Sequence, residues 1–212
     1  MGVIKRGILG GFSNKVANVV GSSWKGIAVI KSLPLSVANP KTAGQVTQRS
    51  KFSQASKFGS AILGNVVKPF WDRFAQQASG YNDFVRTNIE NFNQGSDPDM
   101  NSMIMSNGSL TNVEDFALDG AIGVTSAQVQ WTDNTGAGNS LGTDLVQVVA
   151  FKEDGTYLGQ ADFMPARSVQ TVEVSITQAP TIVGDTIYFY CIVKRPDGSI
   201  VSDTVVITGT RA

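Results

Sequence analysis

The period of the hydrophobic pattern changes once along this chain, and this change constrains the fold more than any other feature. Over residues 41–92, apolar residues recur every three or four positions, which predicts amphipathic helices. After residue 108 they alternate with polar residues, which predicts half-buried strands. Residues 93–108 between them are polar and rich in turn formers, which is typical of a linker. We therefore expect an α+β protein with two domains, residues 1–95 and 109–212, joined by residues 96–108.

The N-terminal domain is expected to combine a β-hairpin with short helices. Two β-prone runs flank a Gly-Ser-Ser turn candidate, and Asn39-Pro40 then ends the second run and precedes the first helix. A two-stranded hairpin is only marginally stable in water, so it needs another surface to pack on. The predicted elements are hairpin strands at Lys15–Val20 and Trp24–Lys31 around residues 21–23, and helices over residues 41–63, 65–78 and 81–92.

The C-terminal domain is expected to be an antiparallel β-sandwich of the immunoglobulin or fibronectin type III kind. Six or seven short strands separated by turn signals within about 100 residues are typical of this architecture. The predicted strands are Ser109–Ala117, Ser126–Trp131, Asp144–Lys152, Ser168–Ile176, Asp185–Lys194 and Ser199–Thr208.

The charges are segregated although the formal net charge is zero, with 17 basic and 17 acidic residues. Residues 1–75 contain eleven basic residues and one acid, Asp72, whereas residues 76–212 contain six basic and sixteen acidic residues. A basic end and an acidic end attract each other when copies stack head to tail. The same basic end could instead attract a nucleic acid through its phosphates. The charge segregation is compatible with both roles.

The residue types present argue against catalysis. The chain has no histidine, which excludes Ser-His-Asp and Cys-His nucleophiles and histidine metal sites. Its one cysteine, Cys191, lies in the apolar run 187–193, so we expect a buried side chain and no disulfide framework. No complete catalytic motif is present, and no apolar run approaches the ~18 residues of a membrane span. We predict a non-enzyme with no cofactor, no metal and no membrane span.

Two N-terminal segments resemble an uncharacterised family of Bacteroidota and their phages. They are GGFSNKVANVVGSSWKG at residues 10–26 and NPKTAGQVTQRSKF at residues 39–52. The second segment is similar to a module of phage structural proteins that is followed some twenty residues later by an aromatic pair, here Phe70-Trp71. The resemblance implies a virion or surface-assembly component and transfers no catalytic residue.

The candidate assembly residues follow from this module. Thr42 can cap the first helix, while Gln45, Gln48 and Arg49 present polar groups one turn apart. The guanidinium of Arg49 can bind a carboxylate or backbone carbonyls through two hydrogen bonds. The full set is Trp24, Lys25, Asn39, Pro40, Thr42, Gln45, Gln48, Arg49, Phe52, Phe70 and Trp71.

These observations lead to an expected role. The protein is predicted to be a structural subunit of a virion or surface assembly, such as a capsid, decoration, fibre or tail-associated protein. It is expected to form a homo-oligomer or to dock on other assembly proteins through its N-terminal domain. Its expected location is the assembled particle, after synthesis in the bacterial cytoplasm without a cleavable signal peptide. The alternatives are a nucleic-acid-binding protein and a carbohydrate- or cell-surface-binding, adhesin-like sandwich.

Overall fold

The computed structural model describes residues 2–3, 12–36, 39–75 and 78–212, with the backbone alone at residues 2, 3 and 24. The chain divides into two compact units, Met1–Thr42 and Ala43–Ala212, which we call the N-terminal unit and the C-terminal unit. Antiparallel sheets dominate, and a few short helices accompany them. The chain is therefore an α+β protein, as the change of period predicted, but the boundary between its compact units falls after residue 42 and not at residues 96–108.

The described part of the N-terminal unit forms an antiparallel sheet of four strands in the order β1-β4-β3-β2. The predicted turn at residues 21–23 is wrong, because these residues lie inside β3 and pair with β4. The turn follows at Lys25 and Gly26, whose φ angles are 49° and 81°. Positive φ at both positions matches the twist of a tight hairpin. The strands are β1 at Gly2–Val3, β2 at Asn14–Val16, β3 at Val19–Trp24 and β4 at Ile27–Ser32.

The C-terminal unit begins with its helices. The predicted helices at residues 41–63 and 81–92 are confirmed as α1, Ala43–Ala61, and as α3, Gly80–Asn88, followed by one 3-10 turn. The middle helix is much shorter than predicted, since a π-helical turn at Leu63–Val67 leads into α2 at Lys68–Phe70. Pro69 has no backbone N–H to continue a regular helical ladder. The π-helical turn is closed by a hydrogen bond of 3.3 Å, which the Val67 amide donates to the Ile62 carbonyl.

Seven strands follow in the described part of this unit, and they form two antiparallel sheets. One sheet has the order β11-β10-β7-β8 and the other the order β5-β6-β9. Six of the seven strands overlap predicted ones, whereas β8 was not predicted. The bounds are β5 Glu114–Leu118, β6 Ser126–Thr132, β7 Leu145–Lys152, β8 Tyr157–Gln160, β9 Thr171–Ser175, β10 Thr186–Lys194 and β11 Val205–Thr210.

The four-stranded sheet is buried on both faces, because β7 and β10 lie at its centre. On one face, Phe151 and Tyr190 pack with aromatic residues of the helical segment, including Phe84. On the other face, Phe189 and its neighbours pack with β6 and β9 of the second sheet. Successive side chains of a strand point to opposite faces, so each central strand contributes to both cores. Helices, four-stranded sheet and three-stranded sheet thus form successive layers.

Residues 96–108, predicted as a linker, belong to this core. Met100, Met103 and Met105 are each at most 2% exposed. The segment is also bound by polar contacts: the Trp71 indole donates to the Met105 carbonyl at 2.7 Å, and the Tyr190 hydroxyl donates to the Met100 carbonyl at 2.5 Å. The flexible thioether side chains fill space between the helices and the sheet. The helices and the sheets therefore cannot be separated at this segment.

Candidate functional site

The N-terminal unit carries an unbalanced positive charge. Residues 1–42 include six basic residues and no acidic residue. Lys15 and Lys31 are both exposed, and both lie in register with Val20 of the strand between them. They therefore share one face of the sheet, about 10 Å apart by the usual strand spacing. This face is suited to an anionic partner.

The described part of this unit buries very little apolar surface. Among its described residues only Gly21 and Val29 are buried, while Val16 is 59% and Ile27 is 45% exposed. Chains of about 40 residues usually need disulfides, metals or a partner to be stable. This unit has no cysteine and no histidine. Its exposed valine and isoleucine side chains are therefore candidate contact residues.

Helix α1 has two separate stripes. Ala55, Phe58 and Gly59 are buried, as is Ile62 directly after the helix, and the spacing of three, four and seven places them on one side. Gln45, Gln48, Arg49 and Phe52 repeat the same spacing ten residues earlier, which rotates them by roughly 80° around the axis. All four are exposed, and Phe52 is 55% exposed. The structure thus brings four predicted assembly residues together on one surface.

The other predicted assembly residues are distributed differently. Phe70 and Trp71 are 1% and 7% exposed and belong to the core of the C-terminal unit. They are therefore corrected from contact residues to core residues. Lys25 lies in the β3–β4 turn, and Asn39, Pro40 and Thr42 are exposed in the segment that leads to α1. The Trp24 side chain lies outside the described residues.

Sequence reasoning missed two adjoining clefts in the C-terminal unit. The first, of about 480 Å³, lies between α1, residues 96–98 and the β7–β8 turn. The second, of about 330 Å³, includes Asn65 of the π-helical turn and polar residues of β8 and β9. Tyr157 lines both clefts. Because β8 was not predicted from the sequence, this tyrosine could not be placed.

An aromatic ring lines both clefts, and one glutamine with a buried amide oxygen lines each of them. The Tyr157 ring packs edge-on against Phe151, with centroids 5.5 Å apart. Burial raises the pKa of its hydroxyl, and the nearby Asn65 side chain partly offsets this. Gln54 lines the first cleft and Gln160 the second, and the Oε1 atom of each is buried without a hydrogen-bond partner among the described residues.

A third polar cluster is structural. Arg167 and Asp144 are both fully buried, with 3.6 Å between Nη2 and Oδ2, and Arg195 Nε lies 3.1 Å from Asp144 Oδ1. Arg167 also donates to the carbonyls of Thr111 and Asn112 and to the Asn134 amide oxygen. Burial lowers the pKa of the Arg167 guanidinium despite the nearby carboxylate. The cluster ties together the loops at one end of the sheets.

Within the described ranges, no group of three or more His, Cys, Asp or Glu side chains is arranged to hold a metal ion. Over the same ranges, no helix has both the length and the apolar character needed to cross a bilayer. The Cys191 thiol is buried, as the sequence predicted, and burial raises its pKa.

Fold and surfaces together define an α+β protein in which a basic antiparallel sheet precedes a layered unit of helices and two sheets. A family model matches residues 11–208, and the chain belongs to that family, a family of unknown function designated DUF6266. The match begins in the N-terminal unit and ends in β11, so it includes most of both units. No curated protein and no solved structure matches the chain.

Proposed function

We propose that the protein is a non-enzymatic structural subunit of a phage-like virion or surface assembly, which docks on its neighbours through the N-terminal unit. One observation carries this proposal. The unit forms a four-stranded sheet in which only Gly21 and Val29 are buried among the described residues. A sheet with so little core gains stability when another surface covers it.

The charge distribution favours a neighbouring copy as the partner. The N-terminal unit has six basic residues and no acid, whereas residues 43–212 have eleven basic and seventeen acidic residues. A basic unit of one copy and an acidic unit of the next form a heterologous contact, which generates rings or filaments. The exposed stripe of Gln45, Gln48, Arg49 and Phe52 on α1 supplies a further surface for a neighbour.

The virion assignment is supported by the sequence resemblance. Residues 39–52, with the pattern N-P-[KR]-T-x-x-Q-x-x-x-R-x-x-F, resemble a short module of phage and prophage structural proteins, and residues 10–26 resemble proteins of Bacteroidota and their phages. We accordingly propose the assembled particle as the working location.

The two sheets favour a finer description of the C-terminal unit. A sheet of three strands faces a sheet of four, with strands close in sequence distributed over both. This division is similar to that of immunoglobulin and fibronectin type III sandwiches. We propose that the unit is a sandwich of this kind whose four-stranded sheet has gained a covering layer of helices.

Nucleic-acid binding is the second candidate, favoured by Lys15 and Lys31 on one face of a unit without carboxylates. Phosphate contacts of this kind would give affinity that falls steeply with salt. The assembly proposal expects weak binding to DNA or RNA at about 0.15 M salt, where attraction between exposed charges is strongly screened.

The test is mass photometry of the full chain at low and high salt. We expect oligomers at about 0.05 M salt that dissociate at about 0.5 M, because the Debye length shortens. The K15E/K31E double variant should be monomeric at both salts, whereas Lys68→Glu, an exposed charge reversal in the C-terminal unit, should still assemble. A wild-type monomer at both salts, with tight DNA binding that K15E/K31E abolishes, would replace assembly with nucleic-acid binding.

A further inference from the structure

We propose that an acidic groove on the C-terminal unit is the surface on which the N-terminal unit of a second copy docks. The groove consists of the first cleft, of about 480 Å³, and a neighbouring cleft of about 230 Å³, which share Asp97 and Asp154. All of its lining residues belong to the C-terminal unit. The inference rests on the assembly role proposed above, and it identifies the acceptor surface that this role requires.

The charge of the groove is the first support. Of the two lysines that line it, Lys152 is already paired with Asp185 at 3.2 Å, and Lys57 is exposed. Three carboxylates of the groove are exposed and form no ion pair with any described residue, namely those of Asp97, Glu153 and Asp154. The groove therefore has a surplus of negative charge that is available to a cationic partner.

The groove is also held in shape by local contacts. The β7–β8 turn lies against residues 96–98, since a Cβ added to Gly155 would lie 3.0 Å from Cγ of Pro98. Within this turn, Oδ1 of Asp154 accepts a hydrogen bond of 2.8 Å from the Thr156 amide. The two segments that supply Asp97 and Asp154 are thus fixed relative to each other. A preformed surface loses little conformational freedom when a partner binds.

An apolar centre accompanies these charges. The first cleft is lined by Phe58, Phe92, Pro98 and Tyr157. The Tyr157 ring is supported from behind by Phe151, with centroids 5.5 Å apart. An apolar centre with a polar rim is the usual composition of a protein interface. The groove is therefore suited to a surface that combines an aliphatic side chain with basic side chains.

The N-terminal unit provides such a surface. Lys15 and Lys31 lie on one face of its sheet, because both are in register with Val20. Ile27 precedes Lys31 by four residues on β4, so it belongs to the same face, and it is 45% exposed. Residues 1–42 include no acidic residue that would be repelled by the groove. An acidic groove repels nucleic acids and anionic lipids, whereas this face of a second copy complements it in charge and in apolar character.

The experiment is sedimentation velocity of the full chain at about 0.05 M salt, where charge attraction is weakly screened. Wild type should form oligomers, and the D97K/D154K double variant should be monomeric. The matched control is D119K/E173K, which reverses two exposed carboxylates next to and within the three-stranded sheet. It changes the net charge by the same amount and should assemble like wild type.

A mixing experiment separates loss of docking from loss of folding. K15E/K31E keeps the acidic groove, and D97K/D154K keeps the basic face. Each variant should be monomeric alone, but an equimolar mixture should form dimers or larger complexes, because each supplies the surface that the other lacks. A misfolded variant would not be rescued in this way. A mixture that remains monomeric would overturn the proposal.

The outcomes distinguish this inference from the assembly role on which it rests. A wild-type monomer at about 0.05 M salt would overturn the assembly role and the groove together. Wild-type oligomers that D97K/D154K also forms would overturn the groove alone, since the N-terminal unit would then dock elsewhere. Loss of assembly in D119K/E173K would show that net charge, and not this groove, is responsible, and would likewise overturn it.

Discussion

The two units of the chain are both built on antiparallel sheets, but they differ in how they are stabilised. In the C-terminal unit, the central strands β7 and β10 are buried on both faces. In the N-terminal unit, only two of the described residues are buried. Hydrogen bonds between strands are therefore present in both units, whereas the described residues form a substantial core only in the C-terminal unit. The comparison teaches that strand pairing and burial of apolar side chains are separate contributions, and that a sheet can have the first with little of the second.

The comparison is tested most severely by removing the buried charge of the C-terminal unit. Arg167→Ala removes the buried cation that lies 3.6 Å from the Asp144 carboxylate, and it leaves the carbonyls of Thr111 and Asn112 without this donor. We expect a loss of about 3–5 kcal/mol in the free energy of unfolding, as is typical when one member of a buried ion pair is removed. Urea denaturation followed by fluorescence measures it.

The matched control is Arg86→Ala. This arginine is 78% exposed and pairs with Asp83 on the surface of α3, so its loss should change stability by less than about 0.5 kcal/mol. Equal effects of the two substitutions would contradict the structural role of the buried cluster.

Alkaline pH should also act on the C-terminal unit, because residues 1–42 contain no cysteine and no tyrosine. Burial raises the pKa of the Cys191 thiol and of the Tyr190 hydroxyl. In the unfolded chain these groups ionise near pH 8.5 and 10. The stabilisation that depends on their neutral forms is therefore fully present below this range, and it is lost as the pH rises through it. We expect a loss of about 2 kcal/mol between pH 8 and pH 10, mainly from the thiol.

Denaturation midpoints at a series of pH values provide this measurement. Cys191→Ala removes the thiol. It should reduce the slope of the denaturation midpoint against pH between pH 8.5 and pH 10, whatever its effect on stability at pH 7. A slope identical to that of wild type would show that Cys191 is not the group responsible.

The smallest effects come from deleting one methylene at three isoleucines. Ile192 faces the helices and Ile187 faces the second sheet, both fully buried on β10. Substitution of either residue by valine should lower the free energy of unfolding by about 0.5–1.5 kcal/mol. Ile27 is 45% exposed in the N-terminal unit, so Ile27→Val should change the free energy of unfolding by less than about 0.5 kcal/mol. If Ile192→Val cost nothing, the helices would not form a core with the sheet.

Much of the fold could be predicted from the sequence, because period and turn chemistry are local properties. Strand β6 was predicted to within one residue, and α1 to within two residues at each end. The turn of the β3–β4 hairpin was misplaced, since Gly21 indicated a turn although it lies in a strand. Phe12 packs over Gly21 so closely that an added Cβ would lie 2.6 Å from its ring. That contact between distant residues leaves no local pattern.

The error at residues 96–108 has a different cause. Polar and turn-forming residues indicated a linker, although Met100, Met103 and Met105 offered apolar side chains for burial. A signal for the helical layer was also present: residues 145–151 and 187–193 are nearly continuous apolar runs, which is typical of strands covered on both faces. The clefts around Tyr157 depend on distant segments meeting, so no local pattern could have located Gln54 beside β8.

The placement of β10 between two cores has a consequence for biosynthesis. The helices are complete once residue 92 has been made, but their aromatic side chains pack against Tyr188 and Tyr190, almost 100 residues later in the chain. At about 5–20 residues per second, ribosomes need roughly 5–20 s to add that length. During this interval, Phe84 and Trp71 have no sheet to cover them. A nascent chain of this protein therefore exposes these aromatic side chains until β10 has left the ribosome, and its layered core forms only after that strand has been made.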